Sequence, residues 1–148
     1  MPSTNCAYVN GRFVPEAEAT VSIFDRGFLY GDGCFETMRI YDKKIFQVYE
    51  HFERLFEGLK HLVIESPLSR EELRAVCYAL IERNHIWDGM ARIYVTPGSS
   101  NIGPPAPAER GATLAAVAQQ REHGQAPNPS PVGTRVEQQV EVYVVLII

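Results

Sequence analysis

The spacing of apolar residues changes part-way along the chain, and that change constrains the fold more than any single residue. Residues 34–41 (CFETMRIY) alternate, which predicts a strand with Phe35, Thr37, Arg39 and Tyr41 on one face and Cys34, Glu36, Met38 and Ile40 on the other. From Phe52 the period lengthens. Phe52, Leu55, Phe56, Leu59 and Val63 recur at three- and four-residue steps, which predicts an amphipathic helix over residues 50–62. Leu73, Val76, Cys77, Leu80 and Ile81 form a second such stripe, and Ser69 with Glu72 supplies a capping box ahead of it. Strands, then two helices, then more strands predict an α+β domain with a largely antiparallel sheet and two helices.

The flanking segments fit this plan. Asn10-Gly11 lies between two short β-prone runs and suits a hairpin turn whose central residues take positive φ. Residues 21–24 read as a short strand stopped by Asp25-Arg26-Gly27. Asp42-Lys43-Lys44 reads as a turn, with residues 45–49 returning as a strand. Strands follow over residues 91–96 and 112–118, separated by a loop at 97–110 rich in Gly, Pro and Ser. The composition then shifts: residues 124–133 (GQAPNPSPVG) have the character of a linker, and residues 140–148 of a last strand. The uncharged run at 142–148 is expected to pair with a sheet edge or to drive self-association.

Composition excludes several functions. A formal net charge of -4 argues against a nucleic-acid partner, which calls for a basic excess. The longest strongly apolar run, 142–148, is far short of the roughly 20 residues a membrane helix needs. Residues 1–5 lack a basic stretch followed by an apolar run, so no signal peptide is expected. Cys6, Cys34 and Cys77 form no CxxC pair, so a reduced, cytoplasmic protein is expected. His51, His61, His85 and His123 show no metal-ligand spacing. Gly27, Gly31 and Gly33 precede a strand, so they are no dinucleotide fingerprint.

One connected series stands out. Tyr8-Val9-Asn10-Gly11 is followed by the run Asp25-Arg26-Gly27-Phe28-Leu29-Tyr30-Gly31-Asp32-Gly33-Cys34-Phe35-Glu36-Thr37, and then by His51-Phe52-Glu53-Arg54-Leu55. In order and spacing this resembles the class IV (fold type IV) pyridoxal-phosphate aminotransferases. That family includes branched-chain and D-amino-acid aminotransferases and aminodeoxychorismate lyase. The resemblance covers about residues 7–118 and cannot be followed past Gln120.

The resemblance implies a small N-terminal domain over residues 1–123, with 124–148 as linker and apolar tail, and a homodimer with pyridoxal 5'-phosphate bound between a small and a larger domain. It implies amino-group transfer between an amino acid and a 2-oxo acid by a ping-pong route, or elimination of the lyase type. Arg54 matches the arginine that contacts the cofactor phosphate, a role suited to a guanidinium fork. On the helical wheel Arg54 lies away from the apolar stripe, so pattern alone reads it as solvated. Tyr30, Phe35 and Thr37 match positions that shape the substrate pocket, and Arg92 matches a strand arginine on its carboxylate side. Two departures bear on specificity. Thr37 stands where branched-chain enzymes usually have glycine, and Pro97-Gly98 stands where many members have arginine before the glycine. Glu36 is expected to be structural, and Asp25 with Arg26 to fix a loop.

No catalytic residue is assigned. The family's indispensable lysine, which links covalently to the cofactor and relays a proton at the substrate α-carbon, opens the second domain. The three lysines here, Lys43, Lys44 and Lys60, match none of its context. The chain is therefore expected to be a truncated, inactive small domain, and the other reading is a non-catalytic dimerisation module.

Overall fold

The computed structural model describes residues 5–100 and 112–120. The linker and tail expected at 124–148, and most of the loop expected at 97–110, lie outside these residues. The elements run β1 (Cys6–Val9), β2 (Arg12–Pro15), a 3-10 turn (Glu16–Glu18), α1 (Arg26–Tyr30), β3 (Cys34–Tyr41), β4 (Lys44–Ile45), α2 (Val48–His61), α3 (Arg70–Arg83), β5 (Gly89–Thr96) and β6 (Thr113–Gln120). The six strands form one sheet in the order β2-β1-β6-β5-β3-β4, and every pairing is antiparallel.

The predicted α+β class holds, and the reasons are local. The β1–β2 hairpin turns on Asn10 (φ 45°) and Gly11 (φ 89°), the positive-φ pair that the two-residue turn requires. β3 has the predicted bounds and alternation: Met38 and Ile40 are buried while Phe35 and Tyr41 are exposed. The Ser69–Glu72 capping box forms at the start of α3, with Glu72 donating to the Ser69 side chain through its backbone and accepting from the Ser69 backbone through its carboxylate. Those hydrogen bonds, the backbone one first, hold the Glu72 carboxyl below its ordinary range.

Three expectations need correction. Residues 21–24 are not a strand: the Ser22 carbonyl accepts from the Asp25 N–H and closes a turn. The returning strand stops at Ile45, because Gln47 (φ 47°) takes the left-handed conformation and its carbonyl accepts the His51 N–H that opens α2. A third α-helix, α1, begins where Asp25-Arg26-Gly27 read as a stop. Asp25 caps it, accepting from the Gly27 N–H at 2.8 Å, and left-handed Gly31 ends it.

The helices pack on one face of the sheet. Phe52, Leu55 and Leu59 of α2 and Leu73, Cys77, Leu80 and Ile81 of α3 meet Met38, Ile40, Ala91, Ile93, Val95, Leu114, Ala116 and Ala118 of the sheet. Each large side chain buried there contributes about 1.5–3 kcal/mol. The opposite face is open. It shows Phe35, Tyr41, Met90, Tyr94 and Val117, all more than a third exposed.

Candidate active site

The site is built around the start of β3. Gly33 brings the chain into it, and only glycine fits: a Cβ there would lie 2.7 Å from the Val95 carbonyl oxygen. The preceding loop is tied down by Asp25, which is 1% exposed. Besides capping α1, its carboxylate accepts from the Thr96 hydroxyl at 3.0 Å, and that hydroxyl accepts from the Gly98 N–H at 3.1 Å. Arg26 bridges to Asp32 at 3.0 Å and lies 4.7 Å above the Tyr30 ring. Asp25 and Arg26 thus fix this loop, as expected, against the turn that follows β5.

Three residues after Gly33, Glu36 points to the helix side and is 4% exposed. Arg54 of α2 reaches it with two nitrogens: Nε donates to Oε1 at 2.6 Å and Nη2 to Oε2 at 2.5 Å. His51, one turn earlier on α2, places Nδ1 2.7 Å from Oε2. Burial alone would push the Glu36 carboxyl up. The hydrogen bonds from Arg54 and His51, with their charges, outweigh it and hold the carboxyl below its ordinary range. The same bond to Glu36 raises Arg54 against a smaller effect of burial. The solvated arginine of the helical wheel is therefore an anchored one.

Arg54 retains what an anion requires. Its side chain is 35% exposed, and Nη1 has no partner among the described residues. A guanidinium held by two of its nitrogens is immobilised, yet still presents an N–H edge to a phosphate. The donor set therefore fits the phosphate of pyridoxal phosphate.

Phe35, Thr37 and Arg92 are brought together on the opposite, open face of the same strands. Arg92 pairs in register with Thr37 and donates from Nε to its hydroxyl at 2.8 Å. A second nitrogen donates to the Tyr94 hydroxyl at 3.2 Å, and the guanidinium lies 5.6 Å from the Phe35 ring. The Phe35 and Tyr94 rings lie 5.6 Å apart. Arg39 shares this face, and β3, β5 and β6 place no carboxylate on it. Tyr94 was missed by sequence reasoning, although its position two residues after Arg92 puts it on the same face of β5. Tyr30 is the last residue of α1 and is 45% exposed. Of the predicted residues, Arg54 thus lies on the helix side of β3 and Phe35, Thr37 and Arg92 on the open side, the two joined through the adjacent pair Phe35-Glu36, while Tyr30 belongs to α1.

The lysines lie elsewhere. Lys43 sits in the β3–β4 turn, 3.6 Å from Glu82 and 5.3 Å from the centre of the Trp87 ring. Lys44 and Lys60 are exposed. Among the described residues no cluster of His, Cys, Asp and Glu is arranged to hold a metal, and no helix is long and apolar enough to cross a membrane.

A six-stranded antiparallel sheet with helices on one face matches the N-terminal domain of the class IV aminotransferases. The sequence pattern of that family, amino-transferase class IV, matches residues 33–147, well past the point where the motifs can be followed by eye. The chain belongs to this family. It is 46% identical over 98 residues to an aminodeoxychorismate lyase of Bacillus subtilis, covering 65% of this chain and 33% of that one. It is 40% identical over 93 residues to a D-alanine aminotransferase of Listeria monocytogenes, covering 63% and 32%. Among solved structures, a branched-chain amino acid aminotransferase from Escherichia coli superposes with a TM-score of 0.74 at 25% identity, covering 80% of this chain and 41% of that one. A T.th. branched-chain amino acid aminotransferase with pyridoxamine 5'-phosphate superposes with the same TM-score, 0.74, at 26% identity, covering 82% and 41%. The chain spans about a third of the length of the curated relatives it matches.

Proposed function

We propose that these residues form the cofactor-phosphate and substrate-facing half of a pyridoxal-phosphate enzyme that moves an amino group between an amino acid and a 2-oxo acid. The observation that carries this reading is the anchored Arg54, immobilised by buried Glu36 with one edge left over. When bound, pyridoxal phosphate supplies an electron sink for the substrate α-carbon. The protein's own part is binding and orientation. Arg54 holds the phosphate, Glu36 and His51 fix Arg54, and Asp25 ties the loop that leads to Tyr30. On the open face Phe35 offers an apolar wall, while Arg92, set by Thr37 and Tyr94, receives a substrate carboxylate.

A second reading within the family is elimination of the aminodeoxychorismate lyase type. Thr37 and Pro97-Gly98, at the departing positions, favour it over a branched-chain activity. Assaying several amino donors against aminodeoxychorismate separates the two.

The chain by itself is proposed to be inactive. Lys43 is engaged by Glu82 and Trp87, and Lys44 and Lys60 are exposed, away from the residues grouped around Arg54 and Arg92. A homo-oligomer is part of the same proposal, supported by the exposed apolar residues of the open face, and three unpaired cysteines suit a cytoplasmic setting.

The test uses pyridoxamine 5'-phosphate, which carries the phosphate but forms no adduct with lysine. The chain should bind it weakly, and Arg54→Ala should weaken binding by about 1.5–3 kcal/mol, the worth of a hydrogen bond to a charged group. Unchanged affinity in Arg54→Ala would remove Arg54 from the site.

A further inference from the structure

Glu36 holds Arg54 in place, but it also cancels the charge that makes Arg54 useful. Counting the cluster by side chains, Glu36 contributes one negative charge and Arg54 one positive. With a neutral imidazole beside them, a phosphate arriving at Arg54 meets no net charge. The third member can change that. His51 Nδ1 lies 2.7 Å from a carboxylate oxygen of Glu36, and Glu36 can only accept, so this nitrogen carries the proton in either charge state of the ring. The 3.3 Å approach of Arg54 Nη2 to the same nitrogen is then a contact between two donors that share one acceptor. Glu36 thereby fixes the tautomer, and the remaining ring nitrogen, Nε2, is the one that gains or loses a proton. Nε2 has no partner among the described residues, although the His51 side chain is only 18% exposed.

We propose that His51 is the proton-dependent member of the anion site at Arg54: its protonation restores the positive charge that Glu36 cancels, so a phosphate or other tetrahedral dianion binds more tightly as pH falls. The inference rests on the reading of Arg54 as a phosphate ligand and adds a residue and a regulation to it. The other groups around the ring are accounted for. From β3, Glu36 is held below its ordinary range by Arg54 and His51 against burial, and the Cys34 thiol is pushed up by burial and then by the Glu36 and Asp32 carboxylates. From the preceding turn, Asp32 is engaged by Arg26 at 3.0 Å. From α2, Arg54 stays charged. Between about pH 5 and 8 the imidazole is the member of this cluster whose kind of side chain changes charge.

Sulfate is the probe, because it remains a dianion throughout that range whereas phosphate changes charge itself. Titrated into the full 148-residue chain, sulfate should bind about 5- to 10-fold more tightly at low than at high pH, the lower part of the range for coupled sites. His51→Gln keeps an N–H for Glu36 but cannot take up a proton, and its affinity should be flat with pH. Arg54→Ala should not bind sulfate. If His51→Gln does not fold, calorimetry of the unaltered chain in two buffers of different ionisation enthalpy decides instead: sulfate binding should take up protons somewhere between about pH 5 and 8. Binding lost in Arg54→Ala but independent of pH, or a pH slope retained in His51→Gln, or no proton uptake, overturns the inference and leaves the phosphate reading of Arg54 intact. No sulfate binding at any pH removes both.

Discussion

Asn84 and Cys6 are joined by a reciprocal pair of hydrogen bonds: the Cys6 N–H donates to Asn84 Oδ1 at 2.8 Å, and Asn84 Nδ2 donates back to the Cys6 carbonyl at 2.9 Å. The side-chain amide behaves here as a strand neighbour would. It completes β1, which pairs with β6 at only Tyr8↔Ala116 and Val9↔Ala115. The same Nδ2 also donates to the Ala118 carbonyl at 3.1 Å, so one side chain at the end of α3 fastens β1 to β6.

Replacing Asn84 with alanine removes all three bonds and leaves partly buried backbone groups of Cys6 without their partner. Unsatisfied groups of that kind cost about 1–3 kcal/mol. Asn84→Ala should lower stability by roughly that amount in urea unfolding, and Asn84→Asp should also be destabilised because a carboxylate cannot donate to the two carbonyls. Wild-type stability in Asn84→Ala would show that water replaces the amide without loss.

Glu36 makes stability depend on acid. Its folded-state pKa lies below the unfolded value, so the folded protein favours the charged form. The contribution is fully present above the unfolded carboxylate pKa of about 4.3 and is lost as pH falls through the lower, folded value. Melting temperature should therefore fall more steeply below about pH 4 in the unaltered chain than in Glu36→Gln, which has no charge to lose. Parallel curves for the two would mean that the pair with Arg54 adds nothing to the fold.

Cys77 should be inert in the folded state. It is 1% exposed, and burial among apolar side chains pushes its thiol up to about 12. At about pH 8, a maleimide or iodoacetamide should modify Cys77 only on the timescale of unfolding, as peptide mapping would show. Labelling of Cys77 in native protein at a rate independent of denaturant would place it outside the core.

Most of the architecture was legible in the sequence because it is governed by local period. The alternation of β3, the stripes of α2 and α3, the Asn10-Gly11 turn and the Ser69–Glu72 cap each depend on residues within a few positions of one another. The elements misread were those whose conformation is decided by partners distant in sequence. α1 depends on Asp25, which is held by Thr96 some seventy residues later. The strand expected at 45–49 fails beyond Ile45 because, after the Phe46 N–H bonds to the Arg39 carbonyl, left-handed Gln47 turns the chain away from β3 into α2.

The motif series named the family and pointed to Arg54, because those residues are consecutive or one helical turn apart. Sequence period alone put Arg54 in solvent, since a helical wheel records only the helix's own apolar stripe. The fold then lays α2 over β3 and buries Glu36 beneath it, so the arginine is turned inward by a carboxylate eighteen residues away. In the same way β-pairing brought Arg92 to Thr37, fifty-five residues earlier, and put that group on the side of the sheet opposite Arg54. Periodicity determined which residues lie on a common face. Only tertiary packing decided which face is covered and which charges meet, because a buried carboxylate takes as partner whatever cation the neighbouring element brings within reach.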